Sequence, residues 1–167
     1  IVSKHFEKTV VLLNVGNIID MKWVEKYNIK SVMYVWQGGQ EGGNSVADVI
    51  VGKVTPCGKL TDTIAMDVTD YPSHPYFGNR DKNCYTEDIY VGYRYFCTFA
   101  RDKVLYPFGY GMSYTTFGYT DCTVEKNGDQ VTASLTVTNT GAHKGKEVVQ
   151  VYLQAPQGKL GKPERVL

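Results

Sequence analysis

Residues 9–50 read TVVLLNVGNIIDMKWVEKYNIKSVMYVWQGGQEGGNSVADVI. From Thr9 to Val15 the run is uninterrupted apolar apart from Asn14 and stops at Gly16, the pattern of a strand buried on both faces of a parallel sheet. In IIDMKWVEKYN, Met21, Val24 and Tyr27 stand near helical spacing and Asp20 is placed to cap. KSVMYVW is a second buried strand. After the glycine-rich turn, Asn44 or Ser45 is expected to cap a helix that puts Val46, Val49 and Ile50 on one face. Strand, helix, strand, loop and helix in that order indicate α/β organisation with a parallel sheet.

Downstream, TPCGKLTDTI leaves that helix through Pro56 and Gly58 into an extended segment. Residues from about 67 to 116 are dense in Tyr, Phe, Pro and Gly and only weakly periodic, which reads as loop-rich. Such aromatics either seal an interdomain face or line a sugar site, and the residues alone leave both open. After Phe117 the periodicity changes to two. QVTASLTVTN sets Val131, Ala133, Leu135 and Val137 on one side, and EVVQVYLQ sets Val149, Val151 and Leu153 on its expected inner side. Asn127-Gly128 between two such runs marks a hairpin turn. About three strands fit between Phe117 and Leu167, where an immunoglobulin-like sandwich needs about seven. An incomplete β-sandwich and a chain cut at both ends are therefore expected.

The bulk properties exclude several classes. With 43% hydrophobic and 21% charged residues the composition is that of a globular protein. A net charge of +1 and the lack of a clustered Lys/Arg stripe argue against nucleic acid or an acidic membrane as partner. No apolar run approaches the roughly 20 residues of a membrane span. Cys57, Cys84, Cys97 and Cys122 never stand at C-x-x-C spacing, and His5, His74 and His143 are scattered, so no metal site is expected. Reduced thiols and the absence of an N-x-S/T sequon favour a cytoplasmic over a secreted setting.

The chemical motifs are weak one by one. Gly43-Asn44-Ser45-Val46-Ala47 resembles the nucleophile elbow of serine hydrolases. However, eight residues separate Trp36 from Ser45 and Ala47 replaces the last glycine, so a structural cap is favoured. GGQEGGNS lacks the spacing of a phosphate loop, and Glu41 would repel phosphate. Glu41 and Glu87 are the candidate carboxylate pair for glycoside hydrolysis. The competing readings are a Glu41 that accepts backbone N–H groups of its own turn and a Glu87 paired with Arg94 or another nearby Arg.

Taken together, WQGGQEGGNSVADVIVGKVTPCGKL, YTEDIYVGYRYF and YPFGYGMSYTTF, in that order and followed by VTASLTVTNTG, resemble the family 3 glycoside hydrolases, the β-glucosidase group. KTVVLLNVGNIIDMKWV also fits that family's strand-and-helix segment. The resemblance implies that residues 1–116 are part of an α/β sandwich domain with a mainly parallel sheet. It implies that residues 117–167 begin a fibronectin type III-like, immunoglobulin-related β-sandwich. It also implies that the nucleophilic Asp sits on a barrel outside this chain and the acid/base Glu upstream of it, so neither Glu41 nor Glu87 receives a catalytic role.

The expectation is thus a fragment of a retaining β-glucosidase that needs no cofactor. It would act on β-glucosides or oligosaccharides, with the missing barrel as partner on one side or the other. Trp36, Gln40, Glu41 and the tyrosines of the aromatic segment are the expected sugar-facing edge, since aromatic faces pack on pyranoses and amides fix hydroxyls. The rival readings are a non-catalytic carbohydrate-binding or scaffolding relative and a serine acyl hydrolase.

Overall fold

Strands β1 (Val10–Leu13) and β2 (Ser31–Tyr34) pair in parallel, Val10 opposite Ser31 and Leu13 opposite Tyr34. They belong to a computed structural model that describes residues 1–167. Parallel neighbours need a crossover, and here it carries a short helix. With α1 taken as Val2–His5, this crossover helix is α2, Lys22–Lys26. Asp20 does not cap it in the expected way: Met21 is the N-cap, and Asp20 Oδ1 accepts the Lys22 N–H at 2.8 Å. That is the aspartate turn geometry, in which a short carboxylate reaches the amide two residues on.

Helix α3 runs Gly42–Ile50 and starts earlier than expected, with Glu41 at the N-cap. Asn44 and Ser45 consequently lie inside its first turn and bond backwards. Asn44 Nδ2 donates to Glu41 Oε2 at 2.6 Å, and Ser45 Oγ donates to the Glu41 carbonyl at 3.0 Å. Strand β3 (Ile64–Ala65) pairs antiparallel with β4 (Val104–Tyr106). Between them come two 3₁₀ turns (Val68–Asp70 and His74–Tyr76), helix α4 (Tyr93–Phe99) and a third 3₁₀ turn (Arg101–Lys103). The region read as loop-rich therefore contains a helix, held by packing rather than by a regular apolar stripe. Phe96 at its centre is 1% exposed.

The core has two parts. Leu13, Met21 and Ile64 pack together beneath Trp23, Val32 and Tyr106, while Ala65, Phe96 and Ala100 pack beneath Tyr71 and Val104. β1 and β2 were expected to be buried on both faces, but only one face is covered. Leu13 is buried, whereas Val10 and Leu12 remain 49% and 42% exposed because no element of this chain lies over them.

β5 (Phe117–Asn127) and β6 (Gln130–Asn139) form a long antiparallel hairpin. Its two-residue turn is Gly128-Asp129, and the positive φ (61°) falls on Gly128 rather than on Asn127. Gly at the first turn position suits the twist of the flanking strands. A bulge between Thr120 and Thr123, with Asp121 at φ 53°, inserts one extra residue. Since side chains alternate, that residue moves Val124 onto the face of Phe117 and Tyr119, opposite Val131, Ala133, Leu135 and Val137. The alternation was correctly read, yet this face is open, and only Leu135 of the β6 set is half-buried.

EVVQVYLQ forms no strand; Leu153 alone makes an isolated bridge, to Val166. Its phase is also the reverse of the expected one. Val149, Val151 and Leu153 are exposed and Gln150 and Tyr152 half-buried. The reason is that the segment packs on the α/β part instead of beside β6. Tyr152 meets Tyr93 edge-on at 5.9 Å, and Arg165 lies 5.0 Å from the Tyr152 ring. The Leu167 N–H reaches Tyr93 Oη at 2.8 Å, and the Glu164 N–H reaches Thr98 Oγ1 at 3.0 Å. All four cysteines are free. No helix is long and apolar enough to cross a membrane, and no group of three or more His, Cys, Asp or Glu is placed to hold a metal ion.

Candidate functional site

Because β1 and β2 are parallel, their carboxyl ends lie together, which is where open α/β sheets collect ligands. The loop after β1 is tied to β2 by one phenol. Tyr34 Oη accepts the Ile19 N–H at 2.9 Å and donates to the Asn17 carbonyl at 3.4 Å. Burial raises the Tyr34 pKa, and nearby Asp62 adds to this, so the phenol stays a neutral donor.

The loop after β2 carries Trp36, Gln40 and Glu41. Trp36 has φ 53°, a left-handed backbone that costs a bulky residue on the order of 1 kcal/mol. Its ring packs on Tyr34 at 4.7 Å, tilted 42°, and is half-buried. The chain then folds back so closely that a Cβ on Gly38 would stand 2.9 Å from the Gly42 Cα. Gln40 and Glu41 are exposed on that turn. Glu41 accepts from the Asn44 side chain and from no backbone N–H of its glycine turn, which corrects the expected bonding partner. Ser45 Oγ is held by the Glu41 carbonyl in a helical i−4 bond, not presented on a strand-end elbow.

Next to the end of β1 lies a cavity of about 390 Å³, lined in part by Asn17 and Ile18 and by Tyr71, Ser73, His74 and Phe77. Trp36, Gln40 and Glu41 do not line it. Its wall is well anchored. Tyr71 Oη donates to the Thr63 carbonyl at 2.9 Å and accepts the Ala65 N–H at 3.0 Å, and its ring stands edge-on to Phe96 at 5.4 Å. Burial raises the Tyr71 pKa as well. The preceding 3₁₀ turn is closed by a capping box between Asp67 and Asp70. Lys22 bonds Asp67 at 2.6 Å and, with the Thr69 N–H and hydroxyl, holds its carboxyl far below the usual range.

Glu87 supports the same wall, since Ser73 Oγ donates to Glu87 Oε1 at 3.1 Å. It makes no ion pair with Arg94 or with any other Arg, contrary to one of the sequence readings. The Arg94 guanidinium lies 5.6 Å from the Tyr93 ring, and its Nε is buried without a partner. Asn17, Ser73 and Phe77 were not singled out from the sequence, and His74 was named there only as one of three scattered histidines. The available signal was YPSHPYFG, two prolines and a glycine that stiffen a turn while presenting aromatic and polar side chains together.

Comparison with known proteins adds a consistent result. The family model for the glycosyl hydrolase family 3 C-terminal domain matches residues 1–114. A beta-glucosidase of Ruminococcus albus is 57% identical over 99% of this chain, which corresponds to 17% of that relative. Beta-glucosidase A of Butyrivibrio fibrisolvens is 49% identical over 99% of the chain and 22% of the relative. Among solved structures, a beta-glucosidase from Paenibacillus barengoltzii superposes with a TM-score of 0.90 at 53% identity, over 98% of this chain and 19% of that one. Beta-glucosidase 3B from Thermotoga neapolitana in complex with glucose gives a TM-score of 0.90 at 43% identity, over 98% of this chain and 24% of that one. The chain spans about a fifth of the length of these proteins.

Proposed function

The chain belongs to glycosyl hydrolase family 3, and on that premise we propose that it is one part of a retaining β-glucosidase that releases terminal non-reducing β-D-glucosyl residues. The observation that carries this reading is the 57% identity to a beta-glucosidase along 99% of the chain. The reaction would be a double displacement: a carboxylate attacks the anomeric carbon, a covalent glycosyl-enzyme forms, and water hydrolyses it. Both reacting carboxylates would come from outside these 167 residues. Glu41 is engaged with Asn44 and Glu87 with Ser73, which suits structural roles for both.

Residues 1–116 would form part of an α/β sandwich domain. The parallel β1–β2 pair, with its helical crossover, supports that division. Residues 117–167 would begin a fibronectin type III-like domain, and the open apolar face of the β5–β6 hairpin is what an unfinished sandwich would present. Trp36, Gln40 and Glu41 would form an edge of the sugar cleft. Their support is their position at the carboxyl ends of the strands, with an aromatic ring, an amide and a carboxylate on one turn.

The test is hydrolysis of an aryl β-glucoside and an aryl ester by the full-length protein and by the 167-residue piece. The expected result is glucoside cleavage by the full-length protein alone. Glucoside cleavage by the piece would overturn the placement of the carboxylates. A full-length protein inactive on every glycoside would point to a binding or scaffolding role, and ester cleavage to the serine chemistry.

A further inference from the structure

Arg94 differs from the other arginines of the chain in where its charge is placed. The sequence has four arginines, and Arg80, Arg101 and Arg165 are exposed, where water solvates a guanidinium. Arg94 is half-buried, and its Nε is shielded from solvent and donates to nothing. None of the ion pairs includes it; they are made by Lys22, Lys53, Lys59, Arg101 and Lys103. A guanidinium stays protonated in a folded protein, so Arg94 cannot relieve the cost of burial by losing its charge, as a lysine could.

The backbone that carries this charge is fixed. The Arg94 N–H donates to the Val91 carbonyl at 3.3 Å, and the Arg94 carbonyl accepts the Thr98 hydroxyl at 2.6 Å. Thr98 Oγ1 in turn accepts the Glu164 N–H at 3.0 Å, and Phe96 anchors the helix in the core. The Tyr93 ring lies 5.6 Å from the guanidinium and attracts it, but a π-face is a weak acceptor and leaves a charged N–H largely unmet. Carboxylates that the structure brings to this part of the chain are engaged elsewhere. Glu164 pairs with Arg101, and Glu87 accepts from Ser73.

A guanidinium held in this way matches one chemical group best. Its planar fork sets two parallel N–H groups against the two oxygens of a carboxylate, which adds charge neutralisation that a neutral carbonyl lacks. The chain spans about a fifth of the length of the proteins it resembles, so most of the polypeptide that could supply such a group lies outside residues 1–167. We propose that Arg94 is a docking point that receives a carboxylate from another part of the same protein, in a bidentate pair through Nε and one Nη. The pair keys α4, with the Phe96 and Tyr71 rings packed behind it, to the remainder of the molecule. This requires the chain to be one part of a longer protein and is independent of the substrate.

Hydrogen exchange read by mass spectrometry on the full-length protein tests this. Arg94→Met is expected to speed exchange about tenfold in α4 and in one outside segment that contains an Asp or Glu. Arg94→Lys keeps the charge but loses the fork, and about threefold is expected in the same two places. Converting that Asp or Glu to its amide should reproduce the effect. It should add less than about twofold to Arg94→Met, since both substitutions remove one interaction. Changes confined to residues 1–167 overturn the proposal. An outside segment without a carboxylate also overturns it and assigns Arg94 to backbone carbonyls, and fully multiplying effects of the two substitutions overturn it as well. Protection of α4 that tracks added acetate, with no outside segment responding, assigns Arg94 to a small anion and overturns it too. Should Arg94→Met fail to fold, Arg94→Lys and the amide variant carry the same comparison.

Discussion

Lys59 Nζ lies 3.0 Å from Glu147 Oε1, and the two side chains are only 17% and 12% exposed. Lys59 also donates to the Gly111 carbonyl at 2.9 Å, and Glu147 accepts its neighbour's Val148 N–H at 2.8 Å. One ion pair thus ties the segment leaving α3, the GYGMSY turn and the chain beyond β6 at a single point. The other five ion pairs each have at least one partner with a third or more of its side chain exposed.

Removing one partner leaves the other charge shielded from water. Lys59→Met or Glu147→Gln is expected to destabilise the fold by about 2 kcal/mol, between values for exposed and fully buried pairs. The double variant Lys59→Met/Glu147→Leu should recover at least half of that. Urea unfolding of the full-length protein measures all three, and additive losses would show that the two groups act independently.

The same pair sets a dependence on pH. Burial pushes the Glu147 carboxyl up, but the Val148 N–H and Lys59 outweigh it and leave its pKa below the ordinary value. A carboxylate with a depressed folded-state pKa stabilises the fold fully above the ordinary carboxylate range and loses that stabilisation as pH falls through the depressed value. Asp67, held down by Lys22, changes in the same direction. Unfolding midpoints should therefore fall on acidification below about pH 4.5. The fall should be shallower in Glu147→Gln, and parallel curves would remove Glu147 from the effect.

Phe96 is 1% exposed and touches Ala65 and Ala100 in the core, with Tyr71 against its ring. Phe96→Ala is expected to cost about 3–5 kcal/mol. It should also loosen the wall of the cavity through Tyr71. Amide hydrogen exchange around Ala65 reads this directly, since its N–H is bonded to Tyr71 Oη.

Gly111 has no room for a side chain, because a Cβ would run into the Gly58 carbonyl oxygen, which is backbone and cannot swing away. Gly111→Ala is expected to cost about 1–3 kcal/mol by overpacking. Gly39→Ala, with open space around it, serves as the comparison and is expected to change stability by less than about 1 kcal/mol. Equal effects would show that crowding at Gly58 is not the cause.

Phe77 also illustrates the limit of reading a site from residues. The glycine turn at residues 38–43 drew attention because its residues are contiguous, whereas the cavity draws Asn17 from one loop and Ser73, His74 and Phe77 from a turn more than fifty positions away. Only the packing of the segment after β3 against the loop after β1 brings them together. Glu41 and Asn44 show the same limit on a shorter scale: α3 starts with Glu41 as its N-cap, three residues ahead of Asn44, which exchanged capping for a side-chain contact.

By itself the sequence determined the local order of the chain. The parallel pair with its crossover, the helix after the glycine turn and the period-two hairpin all follow from apolar spacing and turn residues, which act over a few positions. The ordered motifs also carried the family. Only the tertiary structure decided which apolar faces are covered. Val10 and Leu12 read as buried, yet they lie open, and the alternation of EVVQVYLQ is overridden by Gln150 and Tyr152 packing inward. The physical reason is that burial belongs to pairs of surfaces: periodicity shows that a face is apolar, but not which surface, if any, lies against it.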